Sequence, residues 1–365
     1  MILKMFQKNI LKLSLNESLS IVLLCGFLFP KFSFLNYNIS IPDLLACIFA
    51  VTLLFKIKHI KLKIFEIFKF EILILIFFLF LLFFNLLISN IDAYSFLYVF
   101  RILIYISASI YILSVIKKKR VLKILEIALY IISFYIFFYI VYILINIWNY
   151  PIDVILYGYT KIRLKLPFEY SGTTSVPFAY LLALIFAYFQ SKSKTLKMSL
   201  FFVAQIFTIS RAAILASSIT LLFKYKKFGF VVFFITILLV VFKTILGGGF
   251  DHSSSDRIFF LIYSIELFLE TFPDSLFGYG LSPTILYSNT GYFYYENIFS
   301  QSLMNGGIFL TLIVFMMYIV FTYRILFKRK YIYIPVLIGN LLGGFNLFST
   351  ISLPIYFILV YYYND

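Results

Sequence analysis

The sequence predicts an all-α fold, a polytopic integral membrane helical bundle with about 12 transmembrane helices and a long extracytoplasmic loop containing short amphipathic helices. Three observations predict it. The 365-residue chain is 63% hydrophobic and 22% aromatic, with only 13% charged residues and a mean hydropathy of +1.03. A soluble domain of that composition would expose large contiguous apolar patches. Apolar stretches near spanning length recur along the chain, and basic residues gather in every second connection between them.

A spanning helix needs roughly 20 apolar residues. The stretches that approach this are 19–35, 41–55, 71–90, 94–116, 123–147, 174–189, 198–210, 211–223, 228–246, 307–323, 331–348 and 350–364. With the N-terminus in the cytoplasm, the inner connections hold Lys4, Lys8 and Lys12, then the clusters beginning at Lys56, Lys117, Lys192, Lys224 and Arg324. Twenty-three of the 31 basic residues then share one side, as the positive-inside rule requires. Both termini fall in the cytoplasm. The net charge of +16 is spread over short loops rather than one patch, which points away from nucleic acid.

The basic start precedes an apolar run with no small-residue cleavage site, so the first span reads as a retained helix. Cys25 and Cys47 lie in apolar stretches and imply no disulfide framework. The bias toward Ile, Phe, Tyr, Lys and Asn fits an AT-rich bacterial genome. Residues 1–365 read as one transmembrane domain with two sizeable outer loops, 148–173 and 247–307. The second is the longest polar stretch of the chain, and polar loops on an apolar scaffold are where chemistry is sought.

Eight basic residues break the charge rule, among them Arg101, Arg163, Arg211 and Arg257. Arg211 lies between two inner basic clusters, so the chain must go out and return around it. Each arm is only about 13 residues, ~20 Å of helix against ~30 Å of hydrocarbon. The turn at Ser210–Arg211 should therefore lie within the outer half of the membrane, facing a cavity. A snorkelling side chain at the outer interface is the plainer alternative. Arg257 follows Ser254, Ser255 and Asp256, with Ser254 or Ser255 as helix caps. The apolar Ile258, Phe259, Leu261, Ile262, Ile265, Leu267 and Phe268 fit a helix on the membrane surface that ends before Pro273. The alternative for Arg257 is a surface pair with Asp256.

Arg163, with Lys161 and Lys165, could hold an anion or be solvated. Arg101 sits at ~10 Å depth from the outer side and could face the same cavity. Glu296, just before a membrane re-entry, suits a general base if partial burial raises its pKa; it equally suits an acid at a helix N-terminus. His252 reads as an incidental residue of an exposed loop. Several outer arginines suggest a phosphate or diphosphate ligand, and the setting suggests a lipid headgroup. With two histidines in the chain, no histidine metal site is expected, and no nucleotide or other cofactor motif is visible.

Three segments carry a family resemblance: ISRAAILA at 209–216, Arg257 followed by FPDSLFGYG at 272–280, and ENIFSQSLMNGGIFL at 296–310. In this order they resemble the O-antigen polymerase and O-antigen ligase family of bacterial membrane glycosyltransferases. The resemblance covers about residues 160–310; before that only hydropathy is similar. It implies a donor of undecaprenyl-diphosphate-linked oligosaccharide on the outer face of the cytoplasmic (inner) membrane. It also implies inverting transfer without metal or nucleotide. Arg211 and Arg257 would bind the diphosphate and Glu296 would be the base. Arg163 would match the basic residue of the smaller outer loop. Arg101, Ser210, Asn297, Gly278, Tyr279 and Gly280 complete the expected substrate contacts. Ligases of the family usually carry histidine where Glu296 stands, so a polymerase of O-antigen or capsule-like polysaccharide is favoured. A ligase with a lipid acceptor, or a flippase for the lipid-linked unit, is the alternative. Membrane lipids are the expected surroundings, and a chain-length-regulating protein is a further candidate partner.

Overall fold

The computed structural model describes residues 13–29, 31–34, 37–69, 71–73, 76, 79–80, 83, 93–147, 175–192, 194–208, 211–225, 230–231, 233–235, 237–238, 252–280, 283–292, 297–343 and 353–364. The protein is mostly helical. Its labelled helices are α1 (Leu15–Leu24), α2 (Ile41–Phe55), α3 (Leu62–Ile67), α4 (Ala93–Val115), α5 (Lys118–Ile147), α6 (Ser175–Ser191) and α7 (Thr195–Thr208). They continue with α8 (Arg211–Lys224), α9 (His252–Glu270), α10 (Pro283–Thr290), α11 (Ile298–Leu326), α12 (Tyr333–Gly343) and α13 (Leu353–Asn364). One antiparallel hairpin joins α1 to α2, pairing β1 (Lys31–Phe34) with β2 (Tyr37–Ser40).

Local chemistry sets the helix starts. Ser14 caps α1, its N–H donating to Glu17 Oε2 at 2.9 Å, which makes a reciprocal capping box. At α2 the acid does the capping. Both the Ser40 N–H and its hydroxyl donate to Asp43 Oδ2, at 2.7 and 2.8 Å. Pro42 in the first turn needs no backbone donor there.

The expected span 19–35 is corrected. Its helix stops at Leu24, and residues 31–34 are already a strand. The stretch 41–55 is a helix over those residues. The expected helix after Arg257 starts earlier, at His252, so Ser254 and Ser255 lie inside α9 rather than before it, and His252 is helical rather than loop. Most of 71–90 and 228–246, and residues 344–350, lie outside the described residues.

Packing forms two groups joined by a central helix. α1, α2, α4 and α5 pack together, as do α6, α7, α8, α11 and α12. Between them runs α13, which touches α1, α3, α4 and α6. Leu353 through Tyr362 are all buried, as an all-apolar helix requires. Among the described residues, two helices are long and apolar enough to cross a membrane, Lys118–Tyr142 within α5 and Ile298–Leu326; other apolar helices run 10–17 residues.

Polar contacts tie helix ends together. Arg120 meets Glu17 at 3.5 Å, Lys197 meets Glu126 at 2.6 Å, and the Lys61 ammonium donates to the Leu113 carbonyl at 2.8 Å. Lys224 donates to the Gln190 carbonyl, and the Tyr331 N–H donates to the Tyr363 hydroxyl at 3.1 Å. Among the described residues, the most buried ion pair joins Arg324 of α11 to Glu71, in the helical stretch after α3, with side chains only 13% and 7% exposed. Its second arm, Arg324 Nη2 to Glu71 Oε2, is 3.2 Å. Arg324 also donates to the Tyr333 hydroxyl at 2.8 Å and lies 4.9 Å from that ring's centroid.

Candidate functional site

The site is built around a break in α11. The helix begins at Asn297, whose Oδ1 accepts the Ser300 N–H at 2.8 Å while its Nδ2 donates to Ser300 Oγ at 2.7 Å. Nine residues later the helix breaks at Gly306 (φ −134°, ψ 15°) and Gly307 (φ 63°, ψ −156°). A left-handed residue interrupts the helical ladder, and glycine takes that conformation without steric cost. Carbonyls released by the break need other donors.

The segment after α9 supplies them. The 3-10 turn Asp274–Phe277 leads into Gly278, Tyr279 and Gly280. The Tyr279 N–H donates to the Met304 carbonyl at 2.6 Å, and the Gly280 N–H to the Asn305 carbonyl at 3.1 Å. The two backbones cross at van der Waals distance. A Cβ on Gly278 would sit 2.5 Å from the Gly307 nitrogen and 2.6 Å from that of Gly306.

Side chains fasten the crossing segment to α9. Ser275 Oγ donates to the Phe268 carbonyl at 2.9 Å, and the Tyr279 hydroxyl shares a 2.6 Å hydrogen bond with Thr271 Oγ1. A small core of Phe268, Leu286 and Met304, with Phe260, Tyr263, Leu267 and Tyr292 against it, holds α9, α10 and α11 as one unit. The Tyr263 hydroxyl donates to the Thr290 carbonyl at 2.8 Å. Partial burial, with Tyr292 and Glu270 nearby, holds its phenol above the ordinary range.

Of the residues expected at the site, Gly278, Tyr279, Gly280 and Asn297 are thus brought onto one helix and its clamp. Arg257 is in the early turns of α9, which packs on α11. Arg211 is the first residue of α8, after a gap that separates two helices of 14 residues each. The side chains of both arginines lie outside the described residues. So do Glu296, Ser210 and Arg163 altogether. Near the Arg211 break, buried Ser217 of α8 donates to Gln205 Oε1 of α7 at 2.7 Å, fixing that helix pair.

Arg101 has a partner the sequence reading did not name. Its Nε lies 2.9 Å from Asp43 Oδ1 and its Nη2 donates to Asp43 Oδ2 at 3.2 Å. Asp43 therefore caps α2 and receives Arg101 with the same carboxylate. The Ser40-x-x-Asp43 spacing is a legible capping signal, but its arginine is 58 residues away. No group of three or more His, Cys, Asp or Glu arranged to hold a metal occurs among the described residues.

The chain matches no protein-family model, and neither curated proteins nor solved structures give a match to it.

Proposed function

We propose that this protein is a polytopic membrane glycosyltransferase that joins undecaprenyl-diphosphate-linked oligosaccharide units into O-antigen or capsule-like polysaccharide on the outer face of a bacterial cytoplasmic membrane. The observation that carries the reading is the clamp at the α11 break. Two of the three segments on which the family resemblance rests, 272–280 and 296–310, meet there backbone to backbone. Four of the expected substrate contacts, Gly278, Tyr279, Gly280 and Asn297, lie on these two segments.

The membrane part of the proposal draws support from the helix-end contacts. Arg120–Glu17, Lys197–Glu126, Lys61–Leu113, Lys224–Gln190, Arg324–Glu71 and Tyr331–Tyr363 each join two residues that the charge count assigns to the inner side. Asp43–Arg101 and Tyr279–Met304 each join two assigned to the outer side. A span miscounted between two of these partners would pair an inner residue with an outer one.

In the proposed reaction Glu296 takes the proton of an acceptor hydroxyl. The oxygen attacks the anomeric carbon of the lipid-linked sugar, and the bond from that carbon to the diphosphate oxygen breaks. The departing diphosphate carries the developing charge to Arg211 and Arg257. Preorganised cations at the leaving group are the largest expected source of rate. Arg211 opens a helix, so the helix N-terminus adds to its positive field.

The test is reconstitution in vesicles with a lipid diphosphate-linked repeat unit and no nucleotide sugar or added metal. Lengthening of the lipid-linked chain supports the proposal. Movement of the unit across the bilayer without lengthening would favour a flippase instead.

A further inference from the structure

We propose that α9 lies in the outer membrane–water interface, with one row of side chains in the acyl region of the lipids and its opposite face on the α11 clamp. This rests on the membrane reading above and specifies which surface of the clamp the lipids cover.

α9 has two apolar faces. At 100° per residue, Ile258, Leu261, Ile262, Ile265 and Leu269 fall within about 60° of one line. Together with Phe272 just beyond the helix, they are 40–67% exposed. The other face is filled: Ser264 is fully buried and Phe268 nearly so, and Phe260 and Leu267 pack toward Leu286 and Met304. Leu267 and Phe268, expected on the membrane side, thus point inward. The two apolar faces are separated on one flank by the exposed carboxylates Glu266 and Glu270. A soluble helix with its inner face already packed has no need of a second apolar row. An interfacial helix does, with its charged groups along the water line.

The occupant follows from what adjoins the row. Past the break, residues 308–326 of α11 make ~28 Å of helix, close to the ~30 Å hydrocarbon thickness. That part also shows an exposed apolar side, with Leu312, Phe315, Met316 and Ile319 at 53–63%. On the membrane reading those side chains face lipid, and the break marks the outer boundary. α9 packs on α11, touching Met304 just before the break. The Phe277 ring, five residues beyond Phe272, stacks on Phe309 at 5.4 Å, so an apolar contact joins the segment after α9 to α11 beside Leu312. Acyl chains already covering α11 there would cover the α9 row.

The test places a fluorophore on single cysteines at Ile262, Leu269, Leu312 and Glu270, in the full chain with Cys25 and Cys47 replaced by alanine. The protein is reconstituted in phosphatidylethanolamine–phosphatidylglycerol vesicles containing nitroxide-labelled lipid. The proposal expects quenching at Ile262 and Leu269 equal to that at Leu312, and loss of quenching at Glu270. Quenching at Leu312 without quenching at Ile262 and Leu269 overturns it, leaves the membrane reading standing, and shows that protein covers the row. Equal quenching at Glu270 also overturns it, because the helix would then be immersed on all sides. No quenching at any position would overturn the membrane reading as well. Matched melting of the labelled proteins confirms that each is folded.

Discussion

Replacing Gly307 by alanine tests the clamp, because two separable costs meet at one atom. The residue has φ +63° and ψ −156°, a region essentially confined to glycine that costs an L side chain about 1–3 kcal/mol. The added Cβ would also lie 2.5 Å from the Leu276 carbonyl carbon and 2.7 Å from the Gly278 nitrogen, with the Leu276 oxygen closer still. These are backbone atoms, so the clash is relieved only by moving the crossing segment away. That weakens the hydrogen bonds from Tyr279 and Gly280 to Met304 and Asn305, each worth about 1 kcal/mol. The sum is about 3–5 kcal/mol. Gly291 is the control: its φ is +74°, yet a Cβ there would have nothing within 4 Å, so alanine should cost only about 1–2 kcal/mol. The assay is the unfolding midpoint of each purified variant in one detergent, with polysaccharide length measured in cells at matched protein level. Gly307→Ala should lower the midpoint more than Gly291→Ala and shorten the polysaccharide. Equal midpoints for the two variants would refute the close crossing.

Other perturbations probe the remaining polar contacts. Arg324→Ala leaves Glu71 buried without its cation and should cost about 3–5 kcal/mol. The double variant Arg324→Met, Glu71→Leu should cost clearly less than the two single losses combined, which a double-mutant cycle on unfolding measures. Asp43→Ala removes the cap of α2 and the partner of Arg101 together, for about 2–4 kcal/mol. Arg101→Ala should cost less in that background than in the wild type, and an equal loss in both would mean that the two residues are not coupled.

How much was legible in the sequence varied with the range of the interaction. The stretch 41–55 was read from its apolar length alone, and its bounds hold to the residue because Ser40, Pro42 and Asp43 write a local cap within four positions. The expected turn at Ser210–Arg211 falls where residues 209–210 lie outside those described, between a helix that ends at Thr208 and one that begins at Arg211. The hairpin at 31–40 was missed because an apolar length count absorbs short strands. The alternation of Phe32, Ser33 and Phe34, then Tyr37, Asn38 and Ile39, carried the period-2 signal instead. Gly307 was expected to open the span 307–323, but the role of the Gly306–Gly307 pair in receiving Gly278 depends on a contact between two chain segments that periodicity does not encode. Arg324 and Glu71 are 253 residues apart, and only the packed helices make them neighbours.

The central claim is best tested in a deletion strain complemented with wild type, Arg211→Ala or Glu296→Gln at matched membrane levels, with polysaccharide separated by gel. The account predicts a ladder for the wild type and a single capped repeat unit for both variants. Normal ladders in the variants would contradict it.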